Sequence, residues 1–199
     1  GTEQGLVRFD GIRFTVFDRR NTEAMPSNGI SALLEDRAGQ LWVGTARGLV
    51  KRASAGGGFE RVDAAAGDLR ISTLLEDRDG RLWVGTRGAG LLRLEAGKLI
   101  APASEPDPSP SVTALPPGRR IRALREAADG ALWLATEAGV SRFIGRELTT
   151  LTQRDGLLDN STFDLWFDPD GTLWIATDGG LQRLRDGHLR GFTTRDGLS

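Results

Sequence analysis

The 199-residue chain contains no cysteine and no tyrosine, and its single histidine is His188. The missing cysteines exclude disulfides, thiolate metal sites and a cysteine nucleophile, and one histidine excludes cages of several imidazoles. A sialidase that uses a tyrosine nucleophile is excluded as well. No apolar run approaches the roughly 20 residues that cross a bilayer, and the opening residues GTEQGLVRFD are not those of a signal peptide. We therefore expect no cofactor, no metal site and no membrane insertion of this segment.

Excess charge of one sign is also missing, because 26 Lys and Arg residues face 27 Asp and Glu residues, for a net charge of −1. A nearly neutral chain has no general attraction to nucleic acid, so we expect no nucleic-acid partner. Its length is sufficient to bury about 70% of the unfolded surface, which supports a sizeable core.

What the chain does contain is a repeat marked by tryptophan. Four Leu-Trp pairs lie at intervals of 41, 50 and 41 residues, and the fifth Trp, Trp166, lies outside this spacing. These pairs are Leu41-Trp42, Leu82-Trp83, Leu132-Trp133 and Leu173-Trp174. A period near 40 residues indicates a repeat architecture. The longer interval contains a proline-rich insert at 101–118, which holds six of the eight prolines and is a poor candidate for a sheet.

Each repeat has the pattern of four short antiparallel strands. In the second copy, apolar and β-branched runs at 71–75, 81–86, 91–94 and 98–100 are separated by turns rich in Asp and Gly. Four strands in about 40 residues are typical of a β-propeller blade, whose apolar faces are buried by stacking on neighbouring blades. We predict an all-β propeller with essentially no helix. Its parts are a half blade at 1–29, then blades at about 30–69, 70–120, 121–161 and 162–199.

Residues 35–45, EDRAGQLWVGT, and 76–86, EDRDGRLWVGT, resemble the two-component regulator propeller repeat. The D-G-L stretches at 155–157 and 196–198 also fit, since the family often places this text before a first strand. The later copies depart from the pattern, with Ala135 and Ala176 in place of Gly, and Ala127 in place of Asp.

This resemblance implies a sensing region on the periplasmic side of a bacterial membrane receptor, ahead of a histidine kinase or a diguanylate cyclase output. It implies a glycan or another small ligand, and a complete ring of about seven blades. The four blades and a half are then expected to be part of a larger ring. The open edge at 5–10 is a template for β-pairing, so we expect it to contact another copy or strands supplied by the native protein.

Candidate ligand contacts are the positions that break the repeat, because packing requires the same residue in each copy. Trp166 aligns with Leu34 and Leu75 on the first strand, which lies nearest the axis of a propeller. An aromatic side chain there could stack on a sugar ring, or it could only fill space left by its neighbours.

Arg125 occupies the same position in another copy. A charge on an inner strand needs a partner, so Arg125 either binds an anionic ligand or pairs with an acid such as Glu126 or Asp164. Loop residues that precede first strands can line a ligand mouth or can simply be solvated. The candidates of this kind are Arg119, Arg120 and Asn160.

Three functions are compatible with these residues. The leading hypothesis is a non-enzymatic ligand-sensing propeller, and the alternative is an interaction scaffold without a small-ligand site. A lyase or glycan hydrolase would need a general acid and base near the axis. Most carboxylates fall in the recurrent turns, and Asp164 is the one inner-strand acid outside that pattern, so we predict no catalytic residue and no enzyme.

Overall fold

The computed structural model describes residues 1–52, 57–64, 67–101, 118–145 and 147–198. Within these residues the regular structure is β, apart from two 3₁₀ turns at Gln153–Asp155 and Thr194–Asp196. The predicted all-β fold is confirmed. Residues 102–117 of the predicted proline-rich insert lie outside the described residues. None of the described helical segments is long and apolar enough to cross a membrane.

The chain divides into two compact units, of which the first spans residues 1–102. It holds the half blade, the first blade and the second blade, and the four strands of each full blade pair in sequence order. The half-blade strands are β1 (Leu6–Phe9) and β2 (Phe14–Phe17). The first-blade strands are β3 (Ile30–Glu35), β4 (Leu41–Thr45), β5 (Gly48–Arg52) and β6 (Phe59–Arg61). The second-blade strands are β8 (Ile71–Glu76), β9 (Leu82–Thr86), β10 (Leu91–Glu95) and β11 (Lys98–Ile100). A short strand from the range expected for the first blade, β7 (Asp63–Ala64), instead pairs parallel with β11 at the outer edge of the second blade.

The second unit, residues 103–199, holds the third and fourth blades, each a four-stranded antiparallel sheet in sequence order. The third-blade strands are β12 (Ile121–Glu126), β13 (Leu132–Thr136), β14 (Gly139–Ile144) and β15 (Glu147–Leu151). The fourth-blade strands are β16 (Thr162–Phe167), β17 (Leu173–Thr177), β18 (Gly180–Arg185) and β19 (His188–Phe192).

The first and second strands pair in one register in all four blades. This register has the alignment expected from the sequence: Leu34 lies opposite Trp42, and Leu75 lies opposite Trp83. Each first strand also contains a β-bulge after its first residue. The bulged positions are Ser31, Ser72, Arg122 and Phe163. A bulge re-aims its side chain, so these four positions differ in direction from the rest of the strand.

The core lies between successive sheets within each unit. Because neighbouring residues of a strand point to opposite faces, Leu41 packs against the cluster between half blade and first blade, whereas Trp42 packs toward the second blade. In the second unit the cluster between the third and fourth blades includes Leu157, Leu165 and Ile175. Within each unit, successive sheets therefore bury apolar faces against one another, as predicted for stacked blades.

The repeated Trp side chains are anchored by the repeated Asp of the preceding turn. The indole Nε1–H of Trp42 donates to Asp36 Oδ2 at 2.7 Å, and Trp83 makes the same bond to Asp77 at 2.8 Å. In the fourth blade Trp174 donates to Asp168 at 2.7 Å. These three tryptophans serve packing. In the third blade Ala127 stands in place of the Asp, so Trp133 lacks that acceptor, and Trp166 lies on a first strand outside the repeated Trp position.

Candidate ligand-binding surface on the first strands

Trp166 lies on strand β16 with its side chain exposed to solvent. Strand β16 places Trp166 opposite Trp174 of β17, at the position that Leu34 and Leu75 hold in the first unit. Its neighbour Leu165 points inward and is fully buried, whereas 61% of the Trp166 surface is exposed. The side chain therefore does not fill a packing space, which was the alternative interpretation of this residue.

Arg125 and Asp164 form an ion pair beside it, with Nη2 and Oδ1 3.0 Å apart. Arg125 lies on β12 and Asp164 on β16, so the pair connects the third blade to the fourth. The Arg125 guanidinium also donates to its neighbouring carbonyl, Leu124 O, at 2.8 Å, and Asp164 Oδ1 accepts from the Leu165 amide at 2.8 Å. The predicted pairing of Arg125 with an acid is thus present. Both side chains remain accessible, so the pair contributes little to stability but offers donors and acceptors to a ligand.

A second link between the same strands involves the bulged residues. The Arg122 guanidinium carbon lies 4.5 Å from the centroid of the Phe163 ring, which is cation–π geometry. Arg122 also donates to Ser161 Oγ at 2.9 Å and to the Thr162 carbonyl at 3.2 Å. In the first unit the equivalent Ser31 hydroxyl donates to the Ile71 carbonyl at 2.6 Å. The bulged side chain therefore bridges to the next blade in both units.

Sequence reasoning missed Arg122 and Phe163, although both break the repeat. Their equivalents in the first unit are both Ser, so the same criterion that selected Trp166 would have selected them. Together the five residues Arg122, Arg125, Phe163, Asp164 and Trp166 define what we call the first-strand surface of the second unit.

The remaining predicted residues lie at the other end of the first strands. Arg119 and Arg120 are exposed just before β12, and the Arg120 amide donates to both carboxylate oxygens of Glu137 at 3.0 and 3.3 Å. At about 3.3 Å per residue, Arg120 lies roughly 16 Å along the chain from Arg125. The structure therefore groups Trp166, Arg125 and Asp164, and it leaves Arg119 and Arg120 apart from them.

Asn160 closes the loop before β16. Its Oδ1 accepts the Gln153 amide at 2.8 Å, as Asn28 Oδ1 accepts the Arg19 amide at 3.0 Å before β3. The loop begins with a capping box, in which Asp155 accepts from the backbone N–H and hydroxyl of Thr152, both at 2.9 Å. These bonds, the backbone one first, hold the pKa of Asp155 below its usual value. Asn160 therefore has a loop-closing role, whether or not it also contacts a ligand.

Among the residues that the structure describes, no group of three or more His, Cys, Asp or Glu side chains is arranged to hold a metal ion. His188 lies at the exposed start of β19, with Nδ1 2.9 Å from the Asp186 carbonyl. The first-strand surface thus combines two aromatic rings with two arginines and one carboxylate, a set suited to binding a polar ligand.

Solved structures share this architecture. The extracellular domain of the hybrid two-component system BT3049 from B. thetaiotaomicron is 24% identical, with a TM-score of 0.80 over 100% of this chain and 27% of that one. That of BT4673 from the same organism is 23% identical, with a TM-score of 0.76 over 96% of this chain and 26% of that one. A catalytically inactive virginiamycin B lyase from Staphylococcus aureus, with quinupristin, is 14% identical, with a TM-score of 0.66 over 84% and 56%. The chain spans about a quarter of the two extracellular domains, and likeness at these identities shows the fold: the sheets are β-propeller blades.

The family follows from a separate comparison. A family model described as the two component regulator propeller matches residues 24–47 and 66–88, which contain the first two strands of the first and second blades. The resemblance found in the sequence is confirmed, and these blades are two-component regulator propeller repeats. No curated protein matches the chain.

Proposed function

We propose that this chain is part of the ligand-sensing propeller of a bacterial membrane receptor, that it lies on the periplasmic side, and that it binds a glycan or another small ligand without turning it over. The family of its repeats supports this proposal. So does the similarity to extracellular domains of two-component systems.

The observation that carries the ligand-binding part is the exposure of Trp166 on a strand position that the first unit fills with leucine. The face of an indole ring matches the C–H face of a sugar, and Tyr or Trp rings that are apolar on one side and wet on the other are typical of recognition surfaces. Arg125 and Asp164 stand beside the ring with hydrogen-bonding groups for hydroxyls. Few, well-placed polar groups around an apolar face are the usual composition of a small-ligand site.

A lyase or hydrolase is disfavoured by the engagement of the candidate acid. Acid–base catalysis needs a carboxylate or imidazole within reach of the reacting atoms. Asp164 Oδ1 already accepts from Arg125 and from the Leu165 amide, and His188 lies on the outermost strand of the fourth blade. The similarity to virginiamycin B lyase is a similarity of fold at low identity.

Isothermal titration calorimetry against a panel of oligosaccharides tests the proposal. We expect saturable binding of at least one sugar with no change in the recovered ligand, and a loss of about tenfold in affinity on Trp166→Ala. Ile12→Ala is the matched control, because Ile12 is a large apolar side chain that is 88% exposed on the half blade. No heat for any sugar, or equal losses in both variants, would count against the proposal.

A second candidate, an interaction scaffold, is favoured by the half blade. Its hairpin exposes Phe9 and Phe14, whose rings stack at 4.6 Å, together with Val7 and Val16. Exposed edge strands with apolar side chains are templates for pairing. Sedimentation velocity should then show self-association that Val7→Lys abolishes. A wild-type chain that stays monomeric at high concentration would eliminate this candidate.

A further inference from the structure

Arg52 breaks the repeat at a position that is otherwise apolar. It is the last residue of β5, where it lies opposite Leu41 on one side and Phe59 on the other. The equivalent residues of the other repeats are Phe9, Leu94, Phe143 and Leu184. Packing alone would therefore place a leucine or phenylalanine here, so the guanidinium needs a separate explanation.

The guanidinium is held against two aromatic rings. Its central carbon lies 5.7 Å from the Phe17 centroid and 5.9 Å from the Phe59 centroid, and the two rings meet edge to face at 5.1 Å. Both rings pack on the core between half blade and first blade. Arg52 is partly buried, and among the described residues none of its side-chain N–H groups donates to a protein acceptor. A planar fork of donors is thus pre-oriented, and the described part of the chain offers it no acceptor.

A cleft of about 600 Å³ opens beside this group. Its lining includes Phe17, Arg52 and Phe59, the segment from Asn21 to Ala24 with Glu23, and Gly57 and Gly58. Its size lies within the range of small-molecule sites. Among the described residues that line it, Arg52 is the one basic residue and Glu23 the one acidic residue, so these residues offer an anionic group one favourable place, at the guanidinium.

We propose that this cleft binds a small carboxylic acid, whose carboxylate accepts a bidentate pair of hydrogen bonds from Arg52. Guanidinium and carboxylate match in plane and spacing, and charge-assisted bonds of this kind are among the strongest in proteins. The phenyl rings displace water from the faces of the guanidinium, which strengthens its interaction with an anion. The site consists of residues of the first unit, and the first-strand surface consists of residues of the second unit. A negative result for one of the two proposed sites therefore leaves the other proposal standing.

The test is a titration of the 199-residue chain with sodium glucuronate and, separately, with sodium succinate at constant ionic strength, followed by ¹H–¹⁵N NMR. We expect saturable shifts of the Arg52 Nε–H resonance and of the Gly57 and Gly58 amides. Binding of both acids would show that the site recognises a carboxylate alone, and binding of glucuronate only would identify a sugar acid. Both outcomes support the site.

Arg52→Leu is the decisive variant, because Leu94 and Leu184 show that the repeat accepts leucine at this position, so the protein should fold normally. We expect it to weaken binding by about tenfold or more. Arg190→Leu is the control, since the Arg190 guanidinium also lies near a ring, 5.2 Å from the Phe192 centroid, but outside the cleft. Glu23→Gln should tighten binding a few-fold by removing a repelling charge. The proposal would be overturned if neither acid gave saturable shifts, or if the shifts persisted in Arg52→Leu.

Discussion

Replacing Gly44 by alanine tests how successive blades are matched in the first unit. A Cβ at Gly44 would lie 2.6 Å from Ile71 Cγ2 and 3.1 Å from Ala32 Cβ. Ile71 is fully buried, so it cannot swing aside into solvent. In the second unit the equivalent pair is Ala135 and Thr162. The smaller Thr accompanies the larger Ala, which suggests that the two positions compensate for one another.

The size of the effect follows from the contact. Overpacking of a closed core costs about 1–3 kcal/mol, while replacing Gly by Ala at a compatible backbone recovers about 0.4–1 kcal/mol by restricting the unfolded chain. Gly44 does not have a positive φ, so both contributions apply. We expect Gly44→Ala to lower the free energy of unfolding by about 1–2 kcal/mol. In combination with Ile71→Thr the added methyl group fits, and we expect a favourable coupling of about 1 kcal/mol or more.

Urea unfolding of the wild type, both single variants and the double variant, with linear extrapolation, measures this coupling. Gly58→Ala is the control, since a Cβ there would have no atom within 4 Å, and it should change stability by less than about 0.5 kcal/mol. If Gly44→Ala were as stable as the wild type, or if the two changes were additive, the matching of blades by residue volume would be refuted.

Three further predictions concern the turns. Asp77→Ala should lower the free energy of unfolding in urea by about 3–4 kcal/mol, because the buried carboxylate accepts from an indole and two amides. Asp79→Ala, which removes an exposed ion pair, should lower it by less than about 1 kcal/mol. Equal losses of stability in the two variants would contradict this. Ala127→Asp should stabilise the third blade by about 1 kcal/mol by giving Trp133 the acceptor that the other blades have, and an unchanged midpoint would argue against it. Hydrogen bonds from Thr152 lower the folded-state pKa of Asp155. The stabilisation that this carboxylate provides is therefore present above about pH 4 and is lost as pH falls through the folded pKa. Asp155→Asn should reduce the dependence of the unfolding free energy on acid pH, and an unchanged dependence would exclude this contribution.

The repeat was readable in the sequence because each blade must satisfy the same local requirements. Alternation of apolar residues, Asp and Gly at the turns and the Leu-Trp pair specify strands and register within one sheet, and the pairing of Leu34 with Trp42 and of Trp166 with Trp174 has the predicted alignment. The 3₁₀ turns were not predicted, since three residues are too few to produce a helical period.

The parts of the candidate sites that escaped prediction depend on contacts between sheets. Arg122 and Phe163 are 41 residues apart and meet only because a bulge turns each side chain out of the strand pattern. Arg52 also breaks the repeat but was not predicted, and its interaction with Phe17 requires the half blade to stack on the first blade. Local patterns predict which residues are exceptional, whereas the partners of those residues follow from the stacking.

The two units use different contacts between successive blades at the turn after the first strand. In the first unit Arg37 binds the next blade through Glu76, with its amide 2.8 Å and its Nε 3.4 Å from the Glu76 carboxylate. The equivalents in the second unit are Ala128 and Phe167, and there Trp133 meets Phe167 edge to face at 6.3 Å.

At the turn, the second unit therefore has an aromatic contact where the first unit has a charged one. The second unit instead carries charged residues, Arg122 and Arg125, on the first strand of its third blade. The third and fourth blades are thus linked at the turn by an aromatic contact and on the first strands by the bonds of Arg122 and Arg125. The Arg122 guanidinium lies over the Phe163 ring, and Arg125 pairs with Asp164, two residues before the exposed Trp166 on β16. The second unit therefore carries charged groups and an exposed indole on the first strands, which is the composition that the proposed ligand site uses.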